Sequence, residues 1–501
     1  MNLLSKKIPL NTWMFCFVSF LSIVFLAADK KYSYMYNLEF EFLVFSGLIL
    51  ITIVINHVFK SIFLEILIAY TIIFFLVRMV FLVNGDASNQ FEIRGLTYEN
   101  VEDSMHLLSF MYSSLVLAII IVNPRIDRTN LIQSKESKLL HFVFTFVFLV
   151  LCIHFYLALN RGLGFSPEDK LGSASIIMTI LNEDNVLFLF FVTFMITPYS
   201  VLKKYWFYFV AIVPTYVLLS LYNGNKSGIF ILAIYFLLTM WAMKGVIFLS
   251  MKNIFQMGFV AVFAGFVFMV GTLTRMAKFN VVIGGSDNRY GYTDALKDIP
   301  TLLGFGEGSG AIKSGTLDGA IQFVSYRMGY FDSFVDFVST KAYGQYVSIG
   351  HYFKAMVDKL SPGYDVFNTP FASRMFTYAR SGTDLGSIYT SSNKNIMNSD
   401  QITGFAENYI LFGYGAFIPF ILIMLIFGYL VKRLQHFSPI ARGLFLTLMV
   451  HTYWKWIEGF GYDMLLVNEV TYRLIFFLIV ICFVTKDIRV TPWKKVNSTQ
   501  T

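Results

Sequence analysis

The sequence predicts an all-α, polytopic integral membrane protein with about twelve transmembrane helices and one long extracytoplasmic loop. Of its 501 residues, 56% are hydrophobic and only 14% are charged, whereas a soluble domain has about 25% charged residues. Phenylalanine (55 residues) and tyrosine (29 residues) are abundant, which suits lipid-facing surfaces and interfacial belts. Apolar runs fill the chain except between residues 275 and 404, where polar residues dominate.

A membrane-spanning helix needs about 20 mostly apolar residues, and this length defines the candidate spans. They are residues 9–28, 40–58, 62–83, 104–123, 139–159, 185–200, 206–222, 228–248, 255–274, 405–431, 441–456 and 469–485. The expected organisation is therefore nine helices in residues 1–274, a long loop in 275–404, three helices in 405–485 and a tail in 486–501.

The distribution of lysine and arginine predicts how these helices are oriented. With the N-terminus in the cytoplasm, the cytoplasmic segments carry most of the cations, including Lys6, Lys7, Lys60, Lys203 and Lys204. The short outer loops carry few cations and more acids. Both termini are therefore expected in the cytoplasm, and the long loop is expected outside.

Neither the charge nor the cysteines indicate a further binding function. The net charge of +8 is explained by basic cytoplasmic segments, so no nucleic-acid partner is predicted. Cys16, Cys152 and Cys482 all lie in apolar runs, so they cannot form a disulfide framework or a metal cluster. No metal and no other cofactor is expected.

The long loop is expected to contain helices of its own, because a structureless connection of this length is uncommon. Apolar spacing predicts helices near 292–303, 318–339 and 350–360. The stretch "SYRMGYFDSFVDF" places Asp332 and Asp336 one turn apart on one face. This helix is either a wall of a ligand site or a salt-bridged helix that packs the loop.

Cations in the outer turns are candidates for binding an anion. Lys226 lies in the turn "GNKSG" between two spans, where a fixed cation beside a helix N-terminus suits a phosphate or diphosphate. The alternative is a simple hairpin with a solvated lysine. Arg161 lies in another outer loop, where solvation is again the alternative, and Arg78 near the outer end of its span is expected to snorkel to the surface.

Ionisable residues close to the membrane form a second group of candidates. His451, Lys455 and Glu458 are spaced to share one helix face, and they form either a structural salt bridge or a wall of a site. His351 is the histidine of the long loop and a candidate base.

The stretch "GFAENYILFGYGAFIPFILIMLIFGYL" resembles the bacterial O-antigen polymerase (Wzy) family, the oligosaccharide repeat-unit polymerases. The resemblance rests on residues that open a span directly after a long outer loop: Glu407, Asn408, Tyr409, Phe412, Gly413 and Gly415. "GNKSGIFILAIYFLL" is similar to the family's turn before a span, with Lys226 where arginine is usual. "SYRMGYFDSF" is similar to its loop segment with an arginine followed by an aspartate, and the spacing of Arg161 and Gly172 is similar to a pattern in some members' outer loops.

The resemblance implies a glycosyltransferase of GT-C-like architecture at the periplasmic face of the bacterial inner membrane. Such enzymes transfer a growing glycan from undecaprenyl diphosphate to a lipid-linked repeat unit, which builds O-antigen or a related surface polysaccharide. The implied partners are undecaprenyl-diphosphate-linked oligosaccharides, membrane lipid, a chain-length regulator and a flippase.

This chemistry assigns roles to two groups of residues. Cations should stabilise the charge that the leaving diphosphate develops, and the candidates are Arg161, Lys226, Arg275, Arg327, Arg374 and Arg380. The acceptor hydroxyl needs a base or an orienting acceptor, and the unranked candidates are Asp332, Asp336, Glu407 and His351.

Three alternative functions remain open from the sequence. An O-antigen ligase would perform the same chemistry on a lipid A core acceptor. A lipid-linked oligosaccharide flippase or other transporter would have short loops on both sides of the membrane, so the long loop argues against it. A sensor or assembly protein would lack catalysis altogether.

Overall fold

The computed structural model describes about half of the chain, and it is almost entirely helical there. The described residues are 7–27, 38–81, 98–122, 138–161, 183–196, 203–222, 248–252, 331–339, 348–360, 403–434 and 439–458, with isolated positions at 181, 232, 235, 238, 254, 255, 258, 259, 366 and 367.

The first eight helices carry apolar sequence. They are α1 (Leu10–Ala27), α2 (Leu38–Phe59), α3 (Ile62–Thr71), α4 (Val77–Phe81), α5 (Tyr98–Val122), α6 (Lys138–Arg161), α7 (Glu183–Ile196) and α8 (Trp206–Tyr222). A π-helical segment, Ile72–Leu76, joins α3 to α4 without a break, and a 3₁₀ turn, Lys203–Tyr205, precedes α8.

The described residues of the second half of the chain form five more helices. They are α9 (Phe331–Ser339), α10 (Ile349–Leu360), α11 (Gly404–Phe412), α12 (Phe417–Leu434) and α13 (Pro439–Glu458), with a 3₁₀ turn, Gly413–Ala416, between α11 and α12. α9 and α10 confirm parts of two helices predicted in the long loop. The predicted helix at 292–303 lies outside the described residues.

Within the part of the chain that the structure describes, four helical stretches are long and apolar enough to cross a membrane: Leu38–Phe59, Ile62–Val80, Glu99–Val122 and Gly404–Arg433. Shorter apolar helices occur at Leu10–Leu26, His141–Tyr156 and Trp206–Ser220. These stretches coincide with predicted spans, so the protein is an all-α membrane protein at this level of detail. The total of twelve spans stays a prediction, because most of 228–248 and 255–274 and all of 469–485 lie outside the described residues.

The largest hydrophobic core joins α1 to α5 with α11 to α13 and both polar-segment helices. The helices of this core are packed closely. Gly428 of α12 lies against Val122 of α5, and a Cβ atom added at Gly428 would lie only 2.6 Å from Val122 Cγ1. A second core joins α6, α7 and α8. Tyr235 and Leu448 pack into this second core, so α13 contacts both groups of helices.

One end of the larger helical group carries the helices of the polar segment. α2 and α5 run in the same direction, since His106 Nδ1 lies 3.3 Å from Glu41 Oε1 and Phe45 packs against Tyr112 further along both helices. α5 and α12 also run in the same direction, since Phe110 packs against Tyr414 and Val122 packs against Gly428. The starts of α2, α5 and α12 therefore lie at one end of this group, and α9 packs against α5 and α11.

In the described half of the chain, a short antiparallel ladder is the exception to the all-α prediction. Strand β1 (Lys7–Pro9) pairs with β2 (Phe248–Ser250), with Ile8 opposite Leu249. Both strands lie where the distribution of lysine and arginine predicts the cytoplasmic ends of spans. The predicted spans 9–28 and 228–248 each overlap a strand by one residue, Pro9 and Phe248.

Candidate functional site

Buried ionisable side chains gather where the polar segment meets the apolar helices. Asp332 and Asp336 belong to α9, His351 to α10, Glu407 to α11 and Arg78 to α4. Each is almost completely buried, with exposed fractions between 1% for Glu407 and 6% for His351. Charged groups are expensive to bury unless they are paired and hydrogen-bonded. The contacts of each group therefore decide what it can do.

Helix α9 is buried on both of its faces. Phe331, Phe334 and Val335 are inaccessible to solvent, as the apolar spacing predicts. Asp332 and Asp336, one turn apart, are each only 3% exposed. The acidic face therefore points into the protein rather than into water, which both predicted roles of this helix require.

Arg78 forms a fork-shaped ion pair with Asp332. Its Nη2 donates to Asp332 Oδ2 at 2.7 Å, and its Nε lies 3.0 Å from Oδ1 and 3.2 Å from Oδ2. Both side chains are buried, with 6% and 5% of their surfaces exposed. The prediction that Arg78 snorkels to the surface was wrong, because a carboxylate inside the protein satisfies the guanidinium there.

The π-helical segment directly precedes Arg78. In an α-helix each backbone N–H donates to the carbonyl oxygen four residues earlier, and in a π-helix it donates to the carbonyl oxygen five residues earlier. A π-helical turn therefore accommodates one extra residue. Because Ile72–Leu76 is π-helical, each side chain after it points in a different direction around the helix axis than it would if the same sequence formed an unbroken α-helix. Segments of this kind occur frequently at functional sites.

Tyr352 and Glu407 connect the two remaining helices of the site. The Tyr352 hydroxyl donates to Glu407 Oε1 at 2.9 Å. Glu407 lies in the first turn of α11, where a negative charge is favoured by the helix dipole. Thr403 caps this turn, since its side-chain oxygen accepts from the Ala406 N–H at 3.3 Å. The Asn408 side chain donates to the Gly404 carbonyl at 2.7 Å.

Gly404 allows α11 to touch the end of α13. A Cβ atom at this position would overlap the carbonyl oxygen of Trp456. At the other end of α11, Gly413 has φ +56° and ψ −138°, a conformation that side chains with a Cβ rarely adopt. The two glycines fix where α11 begins and where the chain turns into α12, so they position Glu407.

An aromatic contact joins the two polar pairs. The Phe75 ring lies 6.1 Å from the ring of Phe334 on α9 and 6.1 Å from the ring of Phe405 on α11. Phe75 belongs to the same continuous helical stretch as Arg78. The Arg78–Asp332 pair and the Tyr352–Glu407 pair are therefore held in one packed unit.

His351 and Asp336 complete the described part of the site. The His351 ring lies edge-on to Tyr352, with 6.2 Å between the ring centroids. Its backbone N–H donates to the carbonyl oxygen of Ser348 at 3.0 Å in the first turn of α10. The side chain of Ser339 donates to the Asp336 carbonyl at 2.9 Å, which closes the end of α9.

The four residues predicted as bases or orienting acceptors, Asp332, Asp336, Glu407 and His351, lie on helices that this unit brings together. The side chains of the cations predicted to bind the diphosphate lie outside the described part of the structure. Arg161 ends α6, but its side chain is outside the described part of the structure, as are Lys226, Arg275, Arg327, Arg374 and Arg380. Their assignment to the diphosphate stays a prediction.

Arg78 is the site residue that the sequence prediction missed. An arginine in an otherwise apolar span is a functional-site signal in itself, since such groups are costly and usually face a bundle interior. That rule would have identified Arg78.

His451 has a partner on another segment. Its Nδ1 lies 3.1 Å from the Tyr235 hydroxyl, and both residues are buried. The side chains of Lys455 and Glu458 are outside the described residues, so the predicted three-residue face stays untested.

The arrangement combines an anion-binding guanidinium with carboxylates and an imidazole that can accept a proton. Among the described residues no group of three or more His, Cys, Asp or Glu side chains could hold a metal ion. Comparisons of this chain with protein-family models, with curated proteins and with solved structures found no match.

Proposed function

We propose that this protein is a membrane glycosyltransferase that polymerises undecaprenyl-diphosphate-linked oligosaccharide repeat units. The product would be O-antigen or a related surface polysaccharide. The observation that carries the proposal is the buried set of Arg78, Asp332, Asp336, His351 and Glu407 where apolar helices meet a polar segment. A lipid-linked sugar presents the same arrangement, because an apolar tail, an anionic diphosphate and a hydroxylated sugar follow one another.

The reaction needs a base and a way to stabilise the leaving group. A hydroxyl oxygen at the non-reducing end of the acceptor attacks C1 of the donor sugar. The C1–O bond to the diphosphate breaks, its electron pair stays on the diphosphate oxygen, and the hydroxyl proton passes to the base. Asp332, Asp336, Glu407 and His351 are the candidate bases, and each is held in a packed helix, which keeps it oriented.

Fixed positive charge accounts for the second requirement. Charge that develops on the leaving diphosphate is stabilised best by groups that are already in place and shielded from water. The proposed binders are Arg161, Lys226, Arg275, Arg327, Arg374 and Arg380. A metal ion is not required if arginine and lysine side chains neutralise the diphosphate, so no cofactor is proposed.

The proposed location is the periplasmic face of the bacterial inner membrane, with both termini in the cytoplasm. Apolar side chains on the outer surface of the helices support insertion into lipid. Phe40 is 65% exposed and Phe207 is 74% exposed, which is typical of a lipid-facing surface. A chain-length regulator and a flippase that supplies the lipid-linked units are the proposed partners.

Deletion of the gene followed by gel electrophoresis of the surface polysaccharide tests the proposal. A polymerase mutant should carry lipid A with a single repeat unit in place of the ladder, because ligation continues without polymerisation. A normal ladder in the deletion strain would refute the proposal. Full polymer on undecaprenyl diphosphate with none on lipid A would instead identify a ligase. Loss of repeat units from the periplasmic face would identify a flippase.

A further inference from the structure

The Arg78–Asp332 pair joins an apolar helix to the polar segment. Among the lysine and arginine residues whose side chains the structure describes, Arg78 is the one that is buried. It lies within four residues of the end of α4, at the boundary where the apolar helices give way to α9. A diphosphate whose lipid tail lay along these helices would have its charge at the same boundary.

Packing alone does not explain why the chain keeps this pair. Replacing a buried ion pair with apolar side chains of similar volume is often neutral or stabilising. The chain nevertheless keeps the pair directly after a π-helical segment, which also departs from the most stable helix geometry. The buried ion pair and the π-helical segment are both explained if they hold the Arg78 guanidinium in position for a ligand.

We propose that Arg78 binds the diphosphate of the lipid-linked donor and that Asp332 is its counter-ion while the site is empty. The proposal rests on the function proposed above and adds to it a binding residue and its resting partner. In the empty site Asp332 neutralises Arg78, and in the loaded site the diphosphate does. The guanidinium is thus never left as an unpaired buried charge, which would be costly.

The shape of the guanidinium suits this exchange. Its planar fork already uses Nε and Nη2 against the two oxygens of Asp332, at 3.0 Å and 2.7 Å. Phosphate oxygens can take the same two positions, since carboxylate and phosphate both match the fork. A lysine would keep the charge but lose the two-point contact.

Two substitutions that break the same ion pair separate this proposal from a purely structural role. If the pair only ties α9 to α4, then Arg78→Gln and Asp332→Asn should damage the protein in the same way. If Asp332 competes with the diphosphate for Arg78, the two substitutions should change diphosphate binding in opposite directions. Arg78→Gln removes the binding group, whereas Asp332→Asn removes the competitor.

The experiment measures binding of undecaprenyl diphosphate to the purified full-length protein in detergent. We expect Arg78→Gln to weaken binding about tenfold or more, as expected for loss of a charge-assisted hydrogen-bonded contact. Arg78→Lys should bind more weakly than the wild type and more tightly than Arg78→Gln, and Asp332→Asn should bind more tightly than the wild type. The matched control is Arg433→Gln, which removes an exposed arginine from the opposite end of α12 and should leave binding unchanged.

Further arms identify which part of the lipid is recognised. Inorganic diphosphate should show the same loss on Arg78→Gln, and undecaprenol, which has no diphosphate, should not. A loss confined to undecaprenol would overturn the proposal, because Arg78 would then act on the tail groove. Binding by Asp332→Asn that is no tighter than that of the wild type, or wild-type binding by Arg78→Gln, would overturn it too.

An apolar double variant covers the case in which the single variants do not fold. Arg78→Met combined with Asp332→Leu removes both buried charges, so it should give a monodisperse protein that does not bind the diphosphate. Wild-type binding by this double variant would refute the role of Arg78. If polymer disappears on gene deletion while Arg78→Gln binds normally, this inference fails and the proposed function stands. If the polysaccharide ladder survives deletion of the gene but the variants bind undecaprenyl diphosphate as expected here, the proposed function fails and this inference stands.

Discussion

At the residue scale, glycine controls the geometry of the site as strongly as the charged side chains do. Gly404 lets the start of α11 lie against the backbone of Trp456. Any side chain there must push α11 away from α13, and Glu407 would move with it. The position of a candidate catalytic acid therefore depends on the absence of a single methyl group three residues earlier.

Gly404→Ala should destabilise the protein by about 3 kcal/mol, the upper range for overpacking, because the new methyl group meets backbone rather than a flexible side chain. The measurement is thermal unfolding of the purified protein in detergent. Gly47→Ala in α2 is the matched control, since a Cβ there meets nothing within 4 Å. Equal stability of the Gly404→Ala protein and the wild type would contradict the close contact.

Individual site residues could be predicted from the sequence, but their partners could not. Asp332, Asp336, His351 and Glu407 stand out as ionisable residues in or beside apolar patterns. The pairing of Arg78 with Asp332 joins positions 254 residues apart. No local periodicity connects two such distant positions, so only the packed structure reveals that they meet.

At the scale of single elements, the helix bounds were predictable and the irregular segments were not. Helix α8 was expected at residues 206–222 and runs from Trp206 to Tyr222. Span length and hydropathy fix such bounds because the membrane requires a continuous apolar run. The π-helical segment "IIFFL" has the same composition as the helix around it, and so the sequence gives no signal for it.

Deletion of Ile73 should convert the π-helical segment to regular α-helix, since the segment holds one extra residue. The residues after the segment, Arg78 included, should then stay close to their present positions, because the wide π-helical turn absorbs the extra residue. We therefore expect the Ile73 deletion to keep the polysaccharide ladder. The control is deletion of both Ile72 and Ile73, because no extra residue is left to absorb the second deletion. The rest of the helix should then turn by about 100° and move by about 1.5 Å, which should separate Arg78 from Asp332 and abolish the ladder. A normal ladder in the double deletion, or its loss in the single deletion, would contradict this account of the segment.

The cap of α11 offers a milder perturbation of the same region. Thr403→Ala removes the oxygen that accepts from the Ala406 N–H, and the expected loss of stability is about 1 kcal/mol. Thr403→Ser keeps that oxygen and should behave like the wild type in the same unfolding measurement. Identical stabilities for the alanine and serine variants would indicate that this cap contributes nothing.

At the scale of the whole molecule, the described helices place the polar-segment helices α9 and α10 and the basic end of α12 at opposite ends. Lys354 of α10 is exposed, as is Lys432 near the end of α12. If the polar segment is periplasmic and the basic end cytoplasmic, a reagent that cannot cross the inner membrane should distinguish these two positions.

Single cysteines at Lys354 and Lys432 test the orientation, in a background where Cys16, Cys152 and Cys482 are replaced by serine. A maleimide that cannot cross the inner membrane should label Lys354→Cys in whole cells with a permeabilised outer membrane. It should label Lys432→Cys only after the inner membrane is broken. The opposite pattern would invert the topology, and labelling of both positions in intact cells would refute the separation.

The ladder between β1 and β2 sets an order for assembly of the protein. Trp13 Nε1 also donates to the Leu249 carbonyl at 3.3 Å, and these residues are 236 positions apart. A ribosome that adds about 5–20 residues per second makes the second strand roughly 10–50 s after the first. During that time the backbone groups of β1 lack their partners in β2. Residues 7–9 are therefore synthesised among the first but reach their final contacts among the last.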